Sequence, residues 1–170
     1  MTQGNISIRA GESDDLSQLV DIYNHYVSNT HVTFDTQPFA IAARIHWFAQ
    51  FADTGPHRLL VAADDGAVIG YASSTSFKPR AAYNSSVETS VYLHPDVTGK
   101  GVGQTLYGAL LDLLIAEPSA HRAYGGVALP NAASVELHER LGFKQVATFH
   151  EVGFKFDKYW DVSWFEKELE

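Results

Sequence analysis

Three glycines alternate at Gly99, Gly101 and Gly103 inside VYLHPDVTGKGVGQTLYGALLDLL (91 to 114), between a strand-like run and a helix-like run. A helix N-terminus presents unpaired N–H groups and the positive end of its dipole. Glycine there lets the backbone take positive φ and approach an anion closely. The same spacing also makes an ordinary strand-to-helix turn, and glycine content alone leaves both readings open. Two phosphate motifs fail on this stretch. No Gly-x-x-x-x-Gly-Lys-Ser/Thr is present, and Leu106 stands where a Gly-x-Gly-x-x-Gly fingerprint starting at Gly101 needs its third glycine.

Other side chains offer chemistry at a distance from the loop. In SSVETSVYL (85 to 93) a two-residue period puts Val87, Thr89, Val91 and Leu93 on one face and Glu88, Ser90 and Tyr92 on the other. Glu88 is then either an exposed charge or a general base. His138, on a short helix before RLGF, is either a packed side chain or a proton carrier. Lys78, Arg80 and Tyr83 flank a polar loop, which reads as a solvated basic turn or as a grip on an anion, since guanidinium pairs with carboxylate through two hydrogen bonds. His-Glu-x-x-His and Gly-x-Ser-x-Gly are both absent, and with no cysteine there is neither a thiolate metal site nor a cysteine nucleophile. No metal is expected. Trp47, Trp160 and Trp164 read as packing residues.

The elements that must position these groups follow from periodicity. ISIRA (6 to 10) alternates as a strand. Ser13 or Asp14 is placed to cap a helix whose apolar residues are Leu16, Leu19, Val20, Tyr23 and Val27. Pro38 opens a second expected helix through about Asp53, with Ile41, Ile45 and Phe48 on its buried face. Residues 58 to 77 read as two strands about an Asp65-Gly66 turn. The strand with Glu88 leads to the glycine loop and a helix over about 102 to 116. RAYGGVAL (122 to 129) is the next strand. Asn131 caps a short helix over 132 to 141, and Gly142 suits its left-handed C-terminus. Strands near 144 to 152 and 157 to 166 complete an α/β, or mixed α+β, sheet with helices on both faces.

At 170 residues the chain is long enough for one domain with a full core and too short to suggest two, so a single domain over 1–170 is expected. A net charge of -8 argues against nucleic-acid or anionic-membrane partners, which call for a basic surface. It leaves room for a small anionic ligand held by local donors. The N-terminal MTQGNISIRAGESDD lacks an apolar signal core and no run reaches membrane-spanning length, so a cytoplasmic protein is expected.

The blocks together resemble the GNAT superfamily of N-acetyltransferases. Their pyrophosphate loop runs Gln or Arg, two free positions, Gly, one free position, then Gly or Ala; here it stands as Thr98-Gly99-Lys100-Gly101-Val102-Gly103, with Thr98 in the Gln/Arg position. LPNAASVELHERLGF (129 to 143) is similar to the second cofactor segment. Within the superfamily the chain resembles the phosphinothricin and methionine sulfone/sulfoximine acetyltransferases through NTHVTFDTQPF (29 to 39), FKPRAAYNSSVETSVYL (77 to 93), LHERLGF (137 to 143) and GFKFDKYWDVSWFEKEL (153 to 169). The resemblance covers nearly the whole chain. It implies a GNAT fold, with a mostly antiparallel sheet splayed at the cofactor site. It also implies acetyl-CoA as co-substrate, a small amine as acceptor, and a homodimer. It makes Glu88 the base and His138 either the proton donor to the leaving thiolate or an orienting residue. Val91, Tyr92, Leu93, Gly99, Lys100, Gly101, Val102, Gly103, Gln104 and Asn131 would bind the cofactor. Lys78, Arg80, Tyr83, Thr89, Thr33 and Phe34 would line the acceptor pocket. Acetylation of another amine (a polyamine, an aminoglycoside or a protein N-terminus) and a non-catalytic CoA-binding module are the competing readings.

Overall fold

A computed structural model describes residues 6–170. Residues 1–5, which carry the start of the stretch read as lacking a signal core, lie outside the described residues. In chain order the elements are β1 (Ile6–Ala10), α1 (Leu16–Asn29), α2 (Ile45–Phe48), β2 (Leu59–Asp64), β3 (Ala67–Ser76), β4 (Ser86–Leu93), α3 (Val102–Ile115), β5 (Arg122–Ala128), α4 (Ala132–Arg140), β6 (Lys144–Lys155) and β7 (Lys158–Glu168). They form one seven-stranded sheet of order β1-β2-β3-β4-β5-β7-β6. Every neighbouring pair is antiparallel except β4 and β5, which the α3 crossover joins in parallel. The mixed sheet expected from the strand–helix–strand order is therefore present.

Each sheet face has its own core. β2 reads LLVAAD because both of its faces are covered: Leu60 and Ala62 pack with Leu106, Leu110 and Leu114 of α3, while Leu59 and Val61 pack with Leu19 and Ile22 of α1. The Asp65-Gly66 turn joins β2 to β3 with both residues at positive φ (48° and 87°), as a tight two-residue hairpin requires. The same alternation divides β4. Val87, Val91 and Leu93 belong to the α3 core and Tyr92 to the α1 core.

Two helix starts differ from expectation. A 3-10 turn, Ser13–Asp15, precedes α1, and Glu12 rather than Ser13 or Asp14 is its N-cap. The Asp15 carboxylate accepts the Glu12 N–H at 2.8 Å and both terminal nitrogens of Arg9 at 2.7 and 2.8 Å. These charge-assisted bonds hold the buried Asp15 carboxyl below its ordinary range. The long second helix is absent. A 3-10 turn over Ile41–Arg44 leads into the single turn of α2, and Ile41 and Ile45 are exposed. Of the expected apolar face only Phe48 packs on the α1 core, and beside it the Arg44 guanidinium lies 4.1, 5.0 and 5.1 Å from the ring centroids of Trp47, Phe39 and Tyr23. At the other end of the chain β6 and β7 run further than expected, to a turn at Phe156 and Asp157 with φ of 54° at both.

Candidate active site

β4 and β5 pair only from Ser86–Glu88 to Arg122–Tyr124. Beyond that, β4 keeps β3 as its partner and β5 continues along β7, so the β5-facing edge of Thr89–Leu93 is open. The two glycines of RAYGGVAL account for what fills the gap. A Cβ on Gly125 would lie 2.4 Å from His138 Nε2, and one on Gly126 would lie 3.4 Å from the Trp164 ring. The α4 histidine thus reaches the β5 backbone only because that position has no side chain. A cleft of about 570 Å³ results, with β4 on one wall and β5 and α4 on the other.

The glycine loop forms one end of this cleft. Gly99 and Gly101 have φ of 74° and 81°, and nothing lies within 4 Å of a Cβ built on either, so conformation rather than space selects glycine there. Gly103 differs: its Cβ would meet Leu93 Cδ1 at 3.3 Å, and its role is close packing of α3 on β4. The first bond into the helix runs from Thr105 N–H to the Gly101 carbonyl at 3.1 Å. The N–H groups of Val102, Gly103 and Gln104 precede it and have no acceptor within α3. This donor set at a 14-residue helix fits a pyrophosphate. Thr98, the departure from the family pattern, donates its hydroxyl to the Pro95 carbonyl at 3.1 Å and so ties the loop to the turn before it. Lys100 is also turned back, Nζ to the Asp96 carbonyl at 2.9 Å, and neither it nor Val102 lines the cleft. Val91, Tyr92, Leu93, Gly99, Gly101, Gly103, Gln104 and Asn131 do line it. Asn131 Oδ1 caps α4 by accepting the Ser134 N–H at 3.2 Å, which leaves its amide NH₂ for a ligand.

His138 is 4% exposed. Its Nδ1 lies 2.7 Å from the Ser134 carbonyl, which can only accept, so Nδ1 carries the proton. Burial pushes the imidazole below its ordinary range, against the Ser134 contact, and it is neutral at pH 7. Its Nε2 is then an acceptor, 3.3 Å from the Tyr107 hydroxyl. That hydroxyl is 2.6 Å from Thr89 Oγ1, which is 3.2 Å from the Tyr124 carbonyl. Two hydroxyl protons serve three contacts. Either Thr89 donates to Tyr124 and Tyr107 to Thr89, or Thr89 donates to Tyr107 and Tyr107 to His138.

Glu88 occupies the opposite face, half-buried, paired across the sheet with Thr75 on β3 and Tyr124 on β5. Burial lifts its carboxyl above the ordinary 4.5, and the nearby Lys78 charge partly opposes that rise. Its charge acts on both Tyr92 and Tyr107, one on each face of the sheet. Thr33 is buried on the same face as Glu88, its hydroxyl 2.6 Å from that of Tyr23. Phe34 covers Gly153. Phe77 stacks on Tyr124 at 4.4 Å, meets the Tyr83 ring at 6.0 Å and carries Lys78 Nζ 5.1 Å above it. Arg80 is exposed and makes no ion pair among the described residues. Thr89 stands apart from the other expected acceptor residues, since the strand alternation turns its hydroxyl to Tyr107 on the α3 face.

Three contributors escaped the sequence reading. Tyr107 sits in an apolar helical run and reads there as core. Tyr26, which donates to the Leu93 carbonyl at 2.6 Å, reads as a generic α1 residue. The Gly125-Gly126 pair was legible as a close-approach signal, because paired glycines inside a strand have no packing value of their own. The tryptophans do pack, Trp47 against Phe51 and Tyr71 and Trp160 against His31. Among the described residues no group of three or more His, Asp or Glu could hold a metal ion, and no helix is long and apolar enough to cross a membrane.

The sheet thus opens between two parallel neighbours, with the glycine loop and the N-terminus of α3 at the cleft and the Glu88 carboxylate on the other face of β4. The family model described as Acetyltransferase (GNAT) domain matches residues 8–164, and the chain belongs to this family of N-acetyltransferases. It is 48% identical over 166 residues to a phosphinothricin N-acetyltransferase of Streptomyces coelicolor, covering 96% of each chain. It is 36% identical over 165 residues to an L-methionine sulfoximine/L-methionine sulfone acetyltransferase of Pseudomonas aeruginosa, covering 96% of this chain and 95% of that one. The yncA protein of Salmonella typhimurium, solved with its cofactor acetyl-CoA, superposes with a TM-score of 0.91 at 32% identity, over 98% of this chain and 95% of the other.

Proposed function

We propose that this enzyme moves an acetyl group from acetyl-CoA to the α-amine of a small amino-acid analogue of the phosphinothricin, methionine sulfoximine or methionine sulfone type. The observation that carries this reading is the gap between β4 and β5, which opens immediately after the last paired residue, Glu88, and runs to the glycine cradle; Glu88 itself borders the start of the gap and does not line the cleft. The names of the relatives supply the acceptor class. Acetyl-CoA brings an activated thioester carbonyl. The N–H groups of Val102 to Gln104 hold its pyrophosphate, and the open edge of Val91–Leu93 with the Asn131 amide receives its arm. Glu88 takes a proton from the substrate ammonium, and its raised pKa suits that task better than an ordinary carboxylate would. A backbone N–H at Tyr92 or Leu93 stabilises the charge on the carbonyl oxygen. Arg80, with Lys78 and Tyr83 beside it, grips the anionic end of the substrate, and Thr33 and Phe34 close the other side. His138, neutral and with Nδ1–H committed to Ser134, orients the Tyr107 and Thr89 hydroxyls rather than acting as an acid. Residues 1–170 act as one catalytic domain, since the donor and acceptor sides draw on elements from α1 to β7.

A panel of amines assayed for CoA-thiol release tests the acceptor class. Release with phosphinothricin, methionine sulfoximine or methionine sulfone is expected. Release only with polyamines, aminoglycosides or peptide N-termini would move the chemistry to cationic acceptors, which the net charge of -8 would suit. Binding of acetyl-CoA without release on any amine would leave a non-catalytic module.

The enzyme works as a homodimer in this reading. Support comes from the β6–β7 hairpin, where Phe149, Val152, Phe154, Phe156 and Tyr159 are each at least half exposed along an edge of the sheet. Light scattering should give the mass of two chains, and Phe154→Lys should shift it towards one. A wild-type monomer at assay concentrations would exclude the dimer.

A further inference from the structure

Residues 30 to 39 connect α1 to the 3-10 turn without helix or strand of their own, yet Thr33 within them is only 8% exposed. What holds this loop comes from the far end of the chain. Lys155, the last residue of β6, donates Nζ to the Thr33 carbonyl at 2.7 Å across 122 residues of sequence. Two positions earlier, Gly153 lies so close beneath Phe34 that a Cβ would fall 2.2 Å from its ring. Trp160 of β7 stacks on His31 at 4.1 Å and 13°, and donates its indole N–H to the Lys155 carbonyl at 2.8 Å. Lys155 is itself 4% exposed.

An ammonium buried against a backbone carbonyl is costly, and a Leu or Met would fill the same volume without that cost. Burial does depress the Lys155 pKa, with the Asp35 charge opposing it. The cost implies that the donor is used. Fixing the Thr33 carbonyl fixes its hydroxyl, which sits against the Tyr23 and Tyr92 hydroxyls; Tyr92 shares its strand face with Glu88. We propose that Lys155 is a positioning residue for the acceptor amine, pinning Thr33 and Phe34 at the Glu88 face; of residues 30 to 39 only Val32 lines the acetyl-CoA cleft, so the acceptor side should feel the loss of Lys155 more than the cofactor side. The proposal rests on the reading that residues 30 to 39 border the acceptor pocket.

Lys155→Met keeps the stem and removes the donor. With L-methionine sulfoximine as acceptor, its KM should rise about tenfold or more, the scale of one lost hydrogen bond to a charged group. The KM for acetyl-CoA should stay within about twofold, and Lys155→Arg should recover most of the loss. Amide hydrogen exchange should accelerate at residues 31 to 35 and not in β2, β3 or β4. An acceptor KM and loop exchange both unchanged in the Met variant would overturn the proposal. So would equal rises in both KM values, which indicate general loosening. If the Met variant does not fold, Lys155→Leu, which also lacks a donor, gives the same comparison. A wild-type enzyme inactive on L-methionine sulfoximine would refute the acceptor assignment, whereas the exchange pattern would still decide whether Lys155 holds the loop.

Discussion

Glu88→Gln is expected to lower kcat by about 10²–10⁴-fold, the span that general-base assistance supplies. The amide matches the carboxylate in size and keeps the strand face intact, so acetyl-CoA affinity should stay within about twofold. Stability gives an independent reading of the same residue. The folded state raises the Glu88 pKa, so it disfavours the ionised form, and above the unfolded value of this carboxyl the charge works against folding. That penalty is present at neutral pH and is relieved as pH falls through the raised pKa. The Gln variant should therefore melt at the same temperature as wild type or higher. A large loss of turnover with no loss of stability marks a group kept for chemistry. Near-normal turnover would remove Glu88 from the base role.

Gly101→Val should act on the other substrate. Gly101 adopts φ 81° and ψ -8° as the N-cap of α3, a left-handed conformation that a β-branched residue resists. No atom lies near its missing Cβ, so the substitution strains the backbone without a clash. Relieving about 1–3 kcal/mol of strain by turning the loop would swing the N–H groups of Val102 to Gln104 off the pyrophosphate. Acetyl-CoA affinity should fall about 10- to 100-fold, while kcat at saturating acetyl-CoA changes by less than about threefold. Unchanged affinity by calorimetry would mean that the loop is not the cradle. The two variants thus separate the two sides of the gap.

Much of this architecture was legible because it rests on local chemistry. Asp65-Gly66 requires a tight hairpin, Asn131 and Gly142 bracket α4, and the alternation of SSVETSVYL assigns Glu88 and Thr89 to opposite faces. That alternation also agrees with the structure, where the Thr89 hydroxyl turns to Tyr107 on the α3 face. What escaped depends on distant partners. Pro38 and the apolar spacing after it suggest a long helix, but the chain forms only a 3-10 turn and one helical turn, with Arg44 laid over the rings of Tyr23, Phe39 and Trp47, two of them on other parts of the chain. Tyr107 looks like any core residue until α4 sets His138 against it, and Lys155 looks like a surface charge until the loop of Thr33 closes over it. Periodicity reports on neighbours in sequence. The hydroxyl chain and the loop contacts join residues 18 to 122 positions apart, where no local pattern reaches.

The claim that the gap joins a cradle to a base is tested most directly by kcat/KM for L-methionine sulfoximine, measured from about pH 5 to 9 on wild type, Glu88→Gln and His138→Asn. Wild type should lose activity as the pH falls through an acid limb lying above 4.5, because Glu88 must be ionised to accept the proton. That limb should persist in His138→Asn at a lower overall rate and disappear from Glu88→Gln. The same acid limb in wild type and Glu88→Gln would contradict the account, for the base would then be another group.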